Sequence, residues 1–416
     1  MASLETIATH LSGLAAEGEA AEAVRLHIMD TLVAAKFGRL LADAGPIHIF
    51  SDDGLAPQIA LQIAVTRSTE VDDIEILGCV TPGSVVVPSA ILAGAMLDAD
   101  DAMVLRAVMA GYEAMIWFSR AVGGPAALAR GIWPTFVAAP LGVAATLASL
   151  RGFAPKKLEA ALGLALARTA LFAGRGAASP RFVLLGLAAA EGLRAYEAAA
   201  EGCGADSAVL DHILDLVGGS KDQPAVELPL IHDCEIKPYS TARQGLAAIE
   251  AFRSLQLKPP EIPRIAHILA EVPSVTLGFL HNRPPGRMGM IVNLASQLSL
   301  STTDAALFDV RRDASLAGEL QPIADKVELR GAPDLDALYP GRWSARMTVR
   351  FENGELRKAE WSGPPAPTWE SLTAKALKIG SASGFDTSFV SPLTEACRAL
   401  GKGSRSAKSL AALALC

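Results

Sequence analysis

Aromatic side chains make up only 5% of this 416-residue chain, and charged ones only 19%. A core short of large rings must be assembled from Ala, Leu and Val, and such small side chains suit closely packed helices. Apolar residues reach 51% and mean hydropathy is +0.32, which excludes a disordered chain. Long apolar runs are missing too. The two longest, Val85–Leu97 and Phe136–Leu150, each contain a proline and fall short of the ~18 residues a spanning helix needs, so both read as buried helices. There is no basic block, and a net charge of −7 with a pI near 5.6 excludes nucleic acid or an anionic membrane as the main partner. The cysteines (Cys79, Cys203, Cys234, Cys397, Cys416) are scattered, with no C-x-x-C pair. That argues against a disulfide framework or a zinc site, and reduced thiols in the cytoplasm are expected. Glu5 is the first charge and Arg25 the first strongly basic residue, so no secretory leader is expected.

What is present is helical pattern, almost throughout Ala2–Cys234. Ile28, Leu32 and Ala35 recur at helical spacing, and Ala160–Ala170 is rich in Ala and Leu. Breaks fall at Gly45–Pro46, Pro82–Gly83, Gly123–Pro125 and Gly174–Pro180. No repeat of fixed period is visible, which disfavours a solenoid. The pattern changes at Lys258–Pro263, a linker. Beyond it Ala345, Met347, Val349 and Phe351 alternate with polar residues and run into Asn353–Gly354 and then Glu355–Trp361, the signature of a β-hairpin. Ile262–Val272 and Lys326–Arg330 are further strand candidates. After the break Gly363–Pro367 come a helix over Glu370–Ile379 and a last one around Pro392–Leu400. The expected fold is mainly α, a large helical domain with a smaller α+β domain.

Simple catalytic motifs are absent: no G-x-G-x-x-G, P-loop, G-x-S-x-G or H-E-x-x-H occurs. Gly174–Arg175–Gly176 lacks the strand–turn–helix context of a phosphate cradle. His10, His27, His48 and His267 sit in periodic segments and read as structural. His232–Asp233–Cys234 gathers nucleophile-type residues, but neighbours in sequence point apart.

Four segments in order carry more information. They are Glu70–Val71–Asp72–Asp73 with Thr81–Pro88; Ala110–Gly111–Tyr112–Glu113; Gly131–Thr135 with Leu158–Gly163 downstream; and Ile236–Lys237–Pro238–Tyr239 through Arg243 to Ala251. Over roughly Ala2–Leu300 this set resembles the MmgE/PrpD family, which includes 2-methylcitrate dehydratase, cis-aconitate decarboxylase and iminodisuccinate epimerase. The resemblance implies a homodimer, with a helical domain over residues 1–241 completed by the C-terminal helix in 386–416, and an α+β lid domain over 242–385. It also implies chemistry without metal or organic cofactor.

Carried over position by position, the resemblance departs from the family's pattern. Where the family shows D-F-D-D-T, this chain has Glu70–Val71–Asp72–Asp73–Ile74. The H-P-G histidine is Thr81, and the histidine of G-F-H-P-T is Trp133. A lysine before the next helix is Arg181. Lys237, Tyr239 and Arg243 are kept, the polar position five residues after Lys237 is Ala242, a later histidine is Leu246, and a lid tyrosine is Asn293. Proton transfer next to a carboxylate near neutral pH is served best by histidine, and none remains at these positions. The candidates are therefore Lys237, Tyr239, Glu70 and Asp73 as proton-handling groups, with Asp72 beside them. Thr81, Trp133, Arg181, Ala242, Arg243 and Asn293 are the candidate substrate contacts. A desolvated lysine beside other cations can serve as a base, while for Asp72 the better reading is structural, as a cap of the following helix or the partner of an arginine. Three functions stay open: a lyase or isomerase acting on a small acid-bearing molecule by proton abstraction or decarboxylation, a cyclase-like enzyme of specialised metabolism with a more apolar pocket, and a catalytically silent homologue.

Overall fold

The computed structural model describes residues 3–41, 50, 53–170, 180–221, 229–284, 286–312, 317–361, 363–402 and 406–415. The Gly45–Pro46 break, Gly174–Arg175–Gly176, His48 and Cys416 lie outside them. The first half is helical: α1 (Leu4–Ser12), α2 (Gly18–Gly38), α3 (Leu55–Ser68), α4 (Gly83–Leu97), α5 (Asp101–Val122), α6 (Gly124–Ala129), α7 (Pro134–Leu150), α8 (Pro155–Ala167), α9 (Pro180–Ala200) and α10 (Val209–Val217). Helices α4 and α7 are the two apolar runs, and both are buried nearly all round, as helices without a polar face must be. Small residues let them approach closely. A Cβ at Gly111 of α5 would collide with Val86 of α4 and Thr146 of α7, and one at Gly192 of α9 would meet the Pro140 carbonyl of α7. The scarcity of aromatics thus becomes tight helix packing.

The second half follows with α11 (Arg243–Ser254), a 3₁₀ turn at Pro259–Arg264, β3 (Ile265–Val272), the short helices α12 (Leu277–Leu280), α13 (Arg287–Val292), α14 (Leu294–Leu300), α15 (Asp304–Phe308) and α16 (Ala317–Ala324), then β4 (Val327–Gly331), α17 (Pro333–Asp336), β5 (Ala345–Phe351) and β6 (Leu356–Trp361). The four strands form one mixed sheet in the order β4–β3–β5–β6, with β3 parallel to β4 and antiparallel to β5. The expected hairpin is β5–β6, turned at Gly354 with φ of +85°. Its inward residues Ala345, Met347, Val349 and Phe351 are buried, and α11 packs on this sheet. The first strand begins three residues later than the pattern suggested, because the proline-rich stretch closes into the 3₁₀ turn.

Helices α18 (Trp369–Ser383), α19 (Val390–Ala399) and α20 (Ala407–Ala414) complete the chain. The helix around Pro392–Leu400 is therefore not the last. A turn at Gly401 separates it from α20, whose Ala407, Leu410, Ala411 and Ala414 are buried with the helix packed on α4. Helix α18 packs on both α15 and α2, and its Lys375 is buried against Asp30 of α2 at 2.6 Å and the Val71 carbonyl at 2.8 Å. Mainly α with a small α+β part is what the molecule shows.

Candidate active site

Two segments distant in sequence are laced together at the centre of the molecule. β1 (Ile74–Glu75) pairs antiparallel with β2 (Cys234–Glu235). Upstream, the Thr241 N–H donates to the Glu70 carbonyl at 3.2 Å and the Ser240 hydroxyl to the Thr69 carbonyl at 2.7 Å. Glu70 follows the end of α3 with φ of +55°, a conformation a non-glycine residue adopts at a cost. That backbone turn aims its carboxylate at the other segment.

There the carboxylate meets three cations. Arg67 Nη1 lies 2.6 Å from Glu70 Oε2 and 3.1 Å from Asp72 Oδ1. Lys237 Nζ lies 3.4 and 3.2 Å from the same two oxygens, and Arg181 bonds the other Glu70 oxygen. The side chains of Glu70, Asp72 and Lys237 are no more than 4% exposed. Burial alone would raise the Glu70 value, but Arg67, Lys237 and Arg181 together outweigh it and hold the carboxyl well below the usual range. Burial, with Arg67 nearby, brings Arg181 down to about 10 despite the pull of Glu70, so it stays charged at neutral pH. Three positive and two negative charges leave one positive charge uncompensated among these five residues.

Aromatic faces enclose the two guanidinium groups. Arg181 lies 5.0 Å from the Trp133 ring centre and 4.8 Å from that of Phe182, with Arg67 at 5.8 and 6.0 Å. Trp133 is fixed by stacking on Phe136, rings 7° from parallel. Phe182 belongs to an apolar cluster with Ala242, Met288, Ile291 and Val292. Thr81 sits beside Thr135 of α7, its N–H and hydroxyl both 3.1 Å from the Thr135 hydroxyl.

The structure thus brings Glu70, Asp72, Lys237, Arg181 and Trp133 together, and Ala242 joins them through the Phe182 cluster. Other candidates are engaged elsewhere. Asp73 accepts from His27 Nδ1 at 2.7 Å, the Tyr112 hydroxyl at 2.6 Å and the Gly83 N–H at the start of α4 at 3.0 Å. Tyr239 donates to Glu250 at 2.6 Å and meets Phe308 edge-on, while burial and Glu250 push its phenol well above the usual value. Arg243 pairs with Glu235 between the rings of Trp343 and Trp361. Asn293 caps α14 through Ser296. Of the His232–Asp233–Cys234 group, Asp233 is bound by Arg120 at 2.6 Å, and burial drives the Cys234 thiol far above its usual value. Arg67 and Phe182 escaped the sequence reading; the only signal was an arginine three residues before Glu70 at a helix end. Among the described residues no group of His, Cys, Asp and Glu is placed to hold a metal ion.

Residues 58–216, which carry Arg67, Glu70, Asp72, Trp133 and Arg181, match the MmgE/PrpD N-terminal domain. This part of the chain is an MmgE/PrpD N-terminal domain. Members of this family are generally enzymes of the dehydratase and lyase type. No curated protein matches the chain. Among the described residues no helix is long and apolar enough to cross a membrane. Lys237 and the acid at position 70 face each other directly, Nζ 3.4 Å from Oε2.

Proposed function

We propose that this MmgE/PrpD protein is a cofactor-independent lyase or isomerase that removes or delivers a proton next to the carboxylate of a small acid. The observation that carries the reading is that three cations, Arg67, Arg181 and Lys237, converge on the two carboxylates of Glu70 and Asp72. A substrate carboxylate would neutralise the positive charge left over among these five residues. As the arginines turn towards it, they release Glu70, whose proton affinity rises because its low value depends on them. Glu70 then accepts the proton, and the Lys237 ammonium stabilises the enolate oxygen or returns a proton. Trp133 and Phe182 form the walls. The reading includes a homodimer in the cytoplasm, which sedimentation at micromolar concentration tests.

The test uses deuterated water. The pure protein is incubated with a panel of mono-, di- and tricarboxylic acids and with host-cell metabolite extract, and mass spectrometry follows deuterium uptake and consumption. Uptake at a carbon next to a carboxylate, lost in Lys237→Met, supports the reading. No uptake and no consumption across panel and extract overturns it. A second reading, a cyclase-like enzyme, draws on the apolar cluster of Phe182, Ala242, Met288, Ile291 and Val292 beside the cations. It predicts consumption only of acids with a bulky apolar body.

A further inference from the structure

Helix α5 carries the Gly111–Tyr112–Glu113 stretch, which the reading above leaves without a role. Tyr112 holds one half of the site, its hydroxyl donating to Asp73 next to Asp72. Glu113 reaches the other half. Its Oε1 accepts the Leu230 N–H at 2.6 Å at the start of the turn Leu230–Asp233, which leads directly through β2 into Lys237. Glu113 is fully buried, and its second oxygen, Oε2, has no hydrogen-bond partner among the described residues. An ionised carboxylate with one orphaned oxygen in such a place is costly, whereas a neutral acid still accepts through Oε1 and leaves only an uncharged hydroxyl without a partner.

We propose that Glu113 is a positioning residue that docks the 230–237 segment, and with it Lys237, most firmly as the neutral acid, so that the site loosens when Glu113 ionises. Its role as a positioning group rests on the reading of Lys237 as a site residue. Burial pushes the carboxyl up to about 7, and the Leu230 and Ile231 N–H groups offset this only in part. Arg120 favours the ionised form and Asp233 opposes it, and these are the charged side chains that act on it most strongly, with the Cys234 thiol adjacent. Helices α4, α6 and α7, which pack on α5, carry no ionisable side chain. Helix α2 presents His27 to the Asp73 side, α1 carries Glu5 and His10, and α10 carries Asp211, His212 and Asp215. None of these bonds Glu113 among the described residues.

The sign follows from proton linkage. The folded chain holds this proton up to about pH 7, while the unfolded chain releases it near 4.5, so the contribution is present at low pH and is lost as pH rises through 7. The folding equilibrium of the parent should therefore fall by up to about tenfold per pH unit between pH 5 and 7 relative to Glu113→Gln, which keeps an acceptor but does not titrate. Urea unfolding at pH 5, 6, 7 and 8 gives that difference. Amide hydrogen exchange of the peptide spanning 230–237, corrected for intrinsic rate, should speed up from pH 5 to 8 in the parent and stay level in Glu113→Gln. Equal pH slopes in parent and variant overturn the proposal. If Glu113→Gln does not fold, the parent alone decides: pH-independent corrected exchange at 230–237 overturns it. Neither measurement uses turnover, so a failed deuterium-uptake test leaves this result standing.

Discussion

Lys237 and Trp133 separate chemistry from shape at the scale of single residues. Replacing Lys237 with Met keeps the stem and removes the charge, while Glu70 retains Arg67 and Arg181 and Asp72 retains Arg67. No buried carboxylate is stranded, so the loss of stability should stay below the ~3–5 kcal/mol of a fully broken buried pair, while turnover falls ~10²-fold or more. Urea unfolding beside a single-turnover assay on a substrate found by deuterium uptake checks both halves. A fully active, folded Lys237→Met would reduce the K-P-Y segment to scaffold. Trp133→His should weaken the same reaction by removing the wall against Arg181, without unfolding the chain. The ungapped Lys237–Pro238–Tyr239 stretch was legible in the sequence. The commitments of Asp73 and Tyr239 were not, because their partners His27, Tyr112 and Glu250 lie on other helices that no local pattern connects to them. Arg67 was hidden for the same reason: its value comes from Lys237 and Arg181, which are brought to it only by folding.

Among the elements, the apolar runs and the alternating hairpin were read correctly because each needs only its own periodicity: 3.6 for α4 and α7, two for β5 and β6. Helix α20 was missed because its eight residues hold barely two turns, and only the surface of α4 makes it worth forming. The small-residue composition gives the sharpest test at this scale. Gly111 lies where α4, α5 and α7 meet, so Gly111→Ala forces a methyl against Val86 and Thr146 and should cost about 1–3 kcal/mol. Gly278 in α12 has open space around the same position, and Gly278→Ala should be neutral or slightly stabilising. Thermal unfolding of the two variants side by side checks the contrast; equal behaviour would mean that α4, α5 and α7 leave room for a methyl group at Gly111.

For the molecule as a whole, the buried carboxylates tie stability to pH at the acid end. Glu70 is held low by its three cations, and Asp73 by the His27, Tyr112 and Gly83 donors, in each case against a burial effect that acts alone in the opposite direction. Both groups have depressed values when folded, so their contribution is complete above the unfolded values of 4.5 and 3.8 and is lost as pH falls towards the folded ones. These two groups take up two protons on unfolding, and together they should make the folding equilibrium fall by up to about a hundredfold per pH unit below pH 4. Asp73→Asn removes one of the two, and the limb should flatten by up to about tenfold per unit relative to the parent, with the midpoint at neutral pH already lowered by the His27 and Tyr112 groups it leaves poorly paired. Lys237→Met acts through the other group: Glu70 loses one of its three cations, its value rises towards the unfolded one, and its share of the acid limb becomes smaller and ends at higher pH. Urea midpoints from pH 2.5 to 5 for the parent and both variants read these slopes directly. An acid limb that neither substitution moves would show that the charges at the centre of this fold are not what its acid stability rests on.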